Sequence, residues 1–445
     1  MKLLARLLLP CLLTPLLAAA DDEALVQRGR ALYHGHAAYA RGVGATPLRL
    51  PVEMAACARC HGATGEGGRE GGQPVPALRW QALRQARAGQ PALADDAAVL
   101  RAIAQGHGRG GAVLDAAMPR FTLQPDEGRA LLAYLRRLGT ALDRPPGVLD
   151  DRIRLGTVVP LGGPGAATGE AIAAGLRAGF AEANARGGVH GRRIDLQAQD
   201  ARAGVRAALA AWRDEPVYAL VGGLWNEAAD PADALLAEAH LSHVATLVVR
   251  ESAPRRADWS ADLLAPLAQQ REALAEALRD CGAGARLAVA HGDPAGAPVV
   301  RDLRWLAPQS DLRDELRRAP TGCIGYTLAR APAVQSAAPP AGWAQTLVLP
   351  MPAAVLQPAA GESAATPWYR LGLAAARLTT ELLSRAGRQL HERALLDELD
   401  RMPELALSPG LLVHYGRQRR HAWSPLVVPL GAAPIPSAMA SRGGS

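Results

Sequence analysis

The chain reads as a multi-domain protein: an all-α unit over residues 21–138, then an α/β unit with parallel sheets over residues 152–430. Three observations predict this. Apolar residues at helical spacing open and close the first stretch around a Gly-rich middle. From Arg152 onward, short apolar runs alternate with amphipathic helical segments, the texture of parallel sheets. Between them, residues 139–151 carry prolines and glycines that oppose continued helix and form a linker. At 445 residues, the chain also exceeds what one core usually supports.

In the first unit, Leu25, Val26, Gly29, Leu32 and Tyr33 mark the opening helix. The closing helix starts at Pro125, with Asp126 and Glu127 suited to its positive end, and carries Leu131, Tyr134, Leu135 and Leu138 on one face. In the second unit, Thr168–Ala185 forms a helix stopped by Gly187 and Gly188. Strands are predicted at 153–160, 194–199, 217–222, 243–249, 286–290, 323–328 and 346–349. The tail 431–445, rich in Pro, Ala, Ser and Gly, is predicted to be disordered.

Residues 1–20 place Lys2 and Arg6 ahead of a leucine-rich run that ends in small residues before Asp21 and Asp22, which predicts an export signal cleaved near Ala20. The run is short for a membrane span, and Cys11 lies inside it behind Pro10, a poor context for lipid attachment, so no stable membrane anchor is expected. The net charge of +7 is spread rather than clustered, which argues against nucleic acid as a partner.

The motif AACARCHG supplies Cys57, Cys60 and His61 in the C-x-x-C-H arrangement that attaches a c-type haem. Two thiols three positions apart can each add to one vinyl group of the same porphyrin, which brings the adjacent imidazole under the iron. No second C-x-x-C is present to complete a zinc site, and one motif implies one covalent haem. Met118, in AAMPRF, is the candidate sixth ligand, and His107 in GHGRGG is the alternative; Met54 is too near Cys57 to reach the opposite face.

With these features in place, residues 23–139 resemble the class I cytochrome c domain, through Gly29–Tyr33, Cys57-x-x-Cys60-His61, Met118-Pro119 and Leu131–Leu138. The resemblance implies that the first and last helices cross, with Gly29 and Tyr134 at the crossing. It departs from the family in a long insertion between Tyr33 and Cys57 that includes His34, His36 and Tyr39 and can cover the haem edge. Trp80 either bonds a haem propionate or packs in the core.

The stretch from Ile153 to Ala201 is similar to the periplasmic binding proteins of the branched-chain amino-acid (leucine-binding) type. The matches are Pro160-Leu161, Gly163-Pro164, Gly169-Glu170, Asn184, Gly187-Gly188-Val189 and Gly191-Arg192. This resemblance implies a two-lobed α/β fold closing on a ligand, with loops at Gly163–Thr168, Gly223–Asn226 and Ala245–Thr246. Gly163, Thr168, Trp225, Asn226 and Thr246 are the candidate ligand contacts. Leu224, Trp225 and Asn226 stand where small hydroxyl residues are usual, so the amino-acid ligand is in question; Trp225 either stacks an aromatic or apolar ligand or packs. The part after residue 250 reads as short for a full second lobe, and no acidic residue stands out to hold a ligand's amino group. Cys281 and Cys323 either form a disulfide or remain separate buried thiols.

Together these readings predict a periplasmic mono-haem cytochrome that carries electrons to or from a redox partner protein. Its second unit would recognise a small solute (an amino acid, aromatic acid or alcohol) or dock the partner. The alternative is a solute receptor or transport-associated binding protein whose haem unit senses redox state, which requires different affinities in the two redox states. No catalytic constellation stands out in residues 151–430, so independent catalysis is not expected.

Overall fold

Chain contacts divide the molecule into Met1–Arg144 and Pro145–Ser445, each described by itself. The structure is a computed structural model and describes residues 14–41, 43, 52–87, 89–227, 231–279, 281, 282, 284–291, 296–356, 366–402, 404–408 and 411–430. Most of the segment expected to be an export signal and the tail after 430 lie outside the described residues; residues 14–20 are helical.

The first unit is built on α1 (Thr14–His34), short helices α2 (Val52–Ala55) and α3 (Cys57–His61), a two-stranded ribbon of β1 (Gly68–Glu70) and β2 (Gln73–Val75), then α4 (Trp80–Leu83), α5 (Asp96–Gln105) and α6 (Pro125–Arg137). Helices α1 and α6 cross where Gly29 meets Ala130: a Cβ on Gly29 would stand 1.9 Å from the Ala130 carbonyl oxygen and 2.8 Å from Tyr134 Cβ. Only hydrogen fits there, so the backbones touch and Leu32, Tyr33, Leu131, Tyr134 and Leu135 close the core around the crossing. A buried ion pair reinforces it. Arg30, 3% exposed, pairs with Asp143, which also accepts from Tyr134 Oη at 3.0 Å and from the Gly139 N–H at 2.8 Å.

The second unit has two lobes. Strands β3 (Arg152–Val159), β4 (Arg193–Asp200), β5 (Ala219–Val221), β6 (Ser242–Thr246) and β7 (Ser260–Asp262) form a parallel sheet in the order β4-β3-β5-β6-β7. Helices α7 (Ala166–Ala185), α8 (Val205–Ala211) and α9 (Asp233–Glu238) alternate with these strands. The chain then crosses to α10 (Leu267–Ala277), β8 (Ala285–Val289), β9 (Leu303–Trp305), α11 (Leu312–Arg317), β10 (Gly322–Thr327), α12 (Ala331–Ala337) and β11 (Trp343–Leu349). It returns as α13 (Pro367–Ala386), α14 (Ala394–Arg401) and the hairpin β12 (Leu405–Ser408) and β13 (Leu411–Val413), and ends in β14 (Leu426–Leu430).

The second sheet runs β14-β11-β10-β8-β9, with β14 alone antiparallel. The second lobe is therefore compact rather than truncated: helices α11 and α12 have six and seven residues, yet its sheet has five strands. Helix α13 packs along α7, where Gly175 faces the Tyr369 carbonyl and Gly372 the Ile172 carbonyl. A Cβ at either glycine would lie 2.0 or 2.2 Å from that oxygen, so small residues set the close approach. Cys281 and Cys323 form a disulfide with Cα atoms 6.4 Å apart, tying the segment before β8 to β10.

Candidate functional site

The haem-attachment motif occupies α3, one short turn in which Cys57 and Cys60 are neighbours at i and i+3. Both are free thiols, and burial pushes each up to about 11. His61 is buried, and its Nδ1–H donates to the Pro76 carbonyl at 2.8 Å. That bond fixes the ring and its tautomer and leaves Nε2, without a hydrogen-bond partner among the described residues, as the lone-pair nitrogen. Burial also holds the His61 pKa below its usual value, which favours the neutral imidazole that a metal requires. Tyr33 Oη donates to the Gly62 carbonyl at 2.7 Å, pinning the end of α3 to α1. Two free thiols, one oriented neutral imidazole and a surrounding apolar core suit a covalent haem.

Met118 is half-buried in the loop before α6. Arg120 clamps that loop, with its guanidinium on the Met118 carbonyl, on the Leu114 carbonyl at 2.8 Å and on the Asp115 carbonyl at 3.3 Å. Gly106 leaves room for this guanidinium: a Cβ there would meet Arg120 Nε at 2.2 Å. His107 is exposed, in a bridge with Val113, and Met54 is 54% exposed. Trp80 packs against the core with the Arg136 guanidinium 4.8 Å from its ring centre.

In the second unit, Gly163–Thr168 and Gly223–Asn226 follow β3 and β5, and Ala245–Thr246 end β6; these strands are adjacent, so the sheet order brings the three segments together at its carboxyl edge. The Leu224 N–H donates to the Val158 carbonyl at 2.8 Å and the Leu247 N–H to the Gly223 carbonyl at 3.2 Å, knitting the last two loops to β3. Gly163 and Asn226 are exposed there; Thr168 is buried in the first turn of α7.

Two candidates are occupied by the fold itself. Trp225 lies in the apolar layer with Val158, Trp212 and Trp259; its ring stacks on His243 at 5.1 Å and its Nε1–H donates to Glu227 at 2.8 Å. Of the two readings of this indole, packing is the one observed, because the β5 loop turns the side chain inward. Thr246 is fully buried and its hydroxyl donates to Asp262 at 3.1 Å, so it is spent inside the lobe.

The same edge holds a charged cluster that the sequence reading missed. Arg250 reaches Glu227 at 2.7 Å, Asp233 at 3.1 Å and Asp262 at 3.3 Å. Burial pushes the Asp262 carboxyl up to about 7 and raises that of Glu227. These acids are dispersed over 36 positions, after β5, at the start of α9 and at the end of β7, so no spacing rule marks them. The carboxylates near the ligand loops thus already carry a cation of the chain's own.

Residues 52–139 match the family model described as cytochrome c, and residues 152–321 match the one described as periplasmic binding protein. A comparison with curated proteins finds no match. Among solved structures, the second unit is similar to a substrate-binding periplasmic protein from Ralstonia solanacearum, at 18% identity and a TM-score of 0.48, covering 62% of this chain and 96% of that one. It is also similar to a fatty acid transporter substrate-binding protein from Thermomonospora curvata, at 14% identity and a TM-score of 0.49, covering 64% and 90%. A third is the branched-chain amino acid transporter substrate-binding protein from Streptococcus pneumoniae in complex with isoleucine, at 12% identity and a TM-score of 0.46, covering 63% and 100%. Among the described residues, no helix is long and apolar enough to cross a membrane. Residues 52–139 thus form a cytochrome c domain, a family that implies covalently bound haem, and residues 152–321 fall in a periplasmic binding protein domain.

Proposed function

We propose that the protein is an exported electron carrier with one haem, held by Cys57, Cys60 and His61 and completed by Met118, in the periplasm. Its second unit recognises a small solute or docks the redox partner. The observation that carries this reading is the α3 geometry: two free thiols on one turn beside an imidazole whose Nδ1 is committed to Pro76 and whose Nε2 is not. The haem supplies one-electron chemistry. The protein's part is to fix the His61 ring through Pro76, to hold Met118 in the loop clamped by Arg120, and to keep water away with the core around α1 and α6. The clamped, half-buried setting of Met118 favours it over the exposed His107, and a methionine thioether raises the potential.

For the solute, the loops after β3 and β5 offer Gly163 and Asn226, while Thr246 and the indole of Trp225 are engaged elsewhere. Glu227, Asp233 and Asp262 all contact Arg250, one cation shared among three carboxylates, so each is already engaged by a residue of the chain's own. We therefore place amino acids behind aromatic acids and alcohols as ligands.

Absorption spectra of the mature protein in both redox states test the haem reading. A near-infrared methionine–iron band, lost in Met118→Ala, is expected; a band unchanged in that variant removes the axial assignment. Titration calorimetry against amino acids, aromatic acids and alcohols tests the second unit. Heat with an amino acid alone overturns the ranking.

A further inference from the structure

The insertion between Tyr33 and Cys57 is the part of the first unit that the cytochrome resemblance does not explain. Several of its described residues are tied into the core. Tyr39 is buried, and its ring packs against Phe121 with centroids 4.9 Å apart. The hydroxyl of Tyr39 donates to the Leu32 carbonyl at 3.4 Å, and Cys57 packs against the same apolar cluster as Tyr39. The Ala40 N–H donates to Glu127 Oε1 at 2.7 Å, while Glu127 Oε2 accepts from the Gln124 N–H at 2.8 Å. Val43 then pairs with Phe121 in an antiparallel bridge.

Phe121 is three residues after Met118, and its own N–H donates to the Ile103 carbonyl at 3.3 Å. The Met118 loop is thus held at Arg120 by its own turn and at Phe121 by the insertion. We infer that Tyr39 is a positioning residue of the haem site, tying the insertion to the loop that carries Met118. The inference rests on Met118 being the sixth ligand. A loop anchored at Phe121 loses little freedom when the thioether binds; a loop released there gains freedom in the detached state, and the iron–methionine equilibrium shifts toward detachment.

Imidazole added to the oxidised, full-length holoprotein reads that equilibrium, because it binds only where methionine has left, so its apparent affinity rises by the factor by which methionine binding falls. Tyr39→Leu and Phe121→Leu are each expected to raise imidazole affinity roughly three- to tenfold, the range of a lost aromatic contact. Tyr39→Phe, which keeps the ring and loses the bond to the Leu32 carbonyl, is expected to fall between parent and Tyr39→Leu. The double variant Tyr39→Leu/Phe121→Leu is expected to match the larger single effect, since both remove one anchor.

Imidazole affinity within twofold of the parent in Tyr39→Leu, even with a lowered melting temperature, overturns the inference, as do fully additive effects in the double variant. If Tyr39→Leu yields no holoprotein, Phe121→Leu decides by the same criterion. Met118→Ala runs in parallel. If the near-infrared band persists there, the ligand assignment itself fails; if the band vanishes while the Tyr39 and Phe121 variants behave as the parent, only the role of Tyr39 fails.

Discussion

Replacing Asp143 by alanine tests how the first unit is locked. The carboxylate accepts from the Arg30 guanidinium, the Tyr134 hydroxyl and the Gly139 N–H, and both charged partners are almost fully buried. Removing one member of a buried pair leaves the other charge without compensation, which costs about 3–5 kcal/mol, and here two neutral donors lose their acceptor as well. For a unit of this size that is a fall of roughly 10 °C or more in melting temperature. The assay is thermal unfolding of the full holoprotein followed by circular dichroism of the haem band, which reports the first unit alone. The double variant Arg30→Met/Asp143→Ala should recover part of the loss, because no unpaired charge then remains inside. A fall under about 3 °C for Asp143→Ala, or a double variant melting as low as the summed single losses, would refute the assignment of this pair as the lock.

Burial, with Arg250 adding to it, pushes His243 down to about 3, so between there and its unfolded value near 6.5 the unfolded chain binds the extra proton and stability of the second unit rises with pH. Asp262, pushed up to about 7, acts in the opposite sense over much of that range, so the readout is a difference. Urea midpoints of His243→Phe should fall less than the parent's between pH 6.5 and 5, by up to about 1.4 kcal/mol per pH unit, and equal slopes would remove the claim. Gly372→Ala should destabilise the second unit by about 1–3 kcal/mol in urea unfolding, because its Cβ would meet the Ile172 carbonyl; a neutral outcome means the α7–α13 approach can relax. Cys281→Ser/Cys323→Ser should lower stability by about 2–4 kcal/mol for a sequence separation of 42, and an unchanged urea midpoint would show that the link is absent or idle.

The sequence made legible those features that depend on local pattern. The resemblance to cytochrome c placed Gly29 and Tyr134 at the α1–α6 crossing, and β3, β4, β5, β6, β8, β10 and β11 stood out as apolar runs between helices. The short edge strands were not legible. β7 and β9 have three residues each, and β14 contains Pro429, which is tolerated because that strand lies at the sheet edge. At the haem site, Cys57, Cys60 and His61 follow from one contiguous motif. The Pro76 carbonyl and the Tyr39–Phe121 contact do not, because they join residues 15 and 82 positions apart. The direction of Trp225 and the gathering of Glu227, Asp233 and Asp262 on Arg250 are likewise set by how strands are ordered in the sheet, not by their spacing along the chain.

The path of the chain through the two lobes bears on the order in which the protein can mature. The first lobe is not finished when its last sheet strand ends at Asp262: it still needs α13, which packs along α7 more than a hundred residues later. The second lobe in turn waits for β14. The cytochrome unit, by contrast, draws on an uninterrupted stretch ending at Arg144. During synthesis it can therefore collapse and present its two thiols while the rest is still being made. The binding unit, dominated by long-range closures, must remain open until nearly the whole polypeptide has emerged.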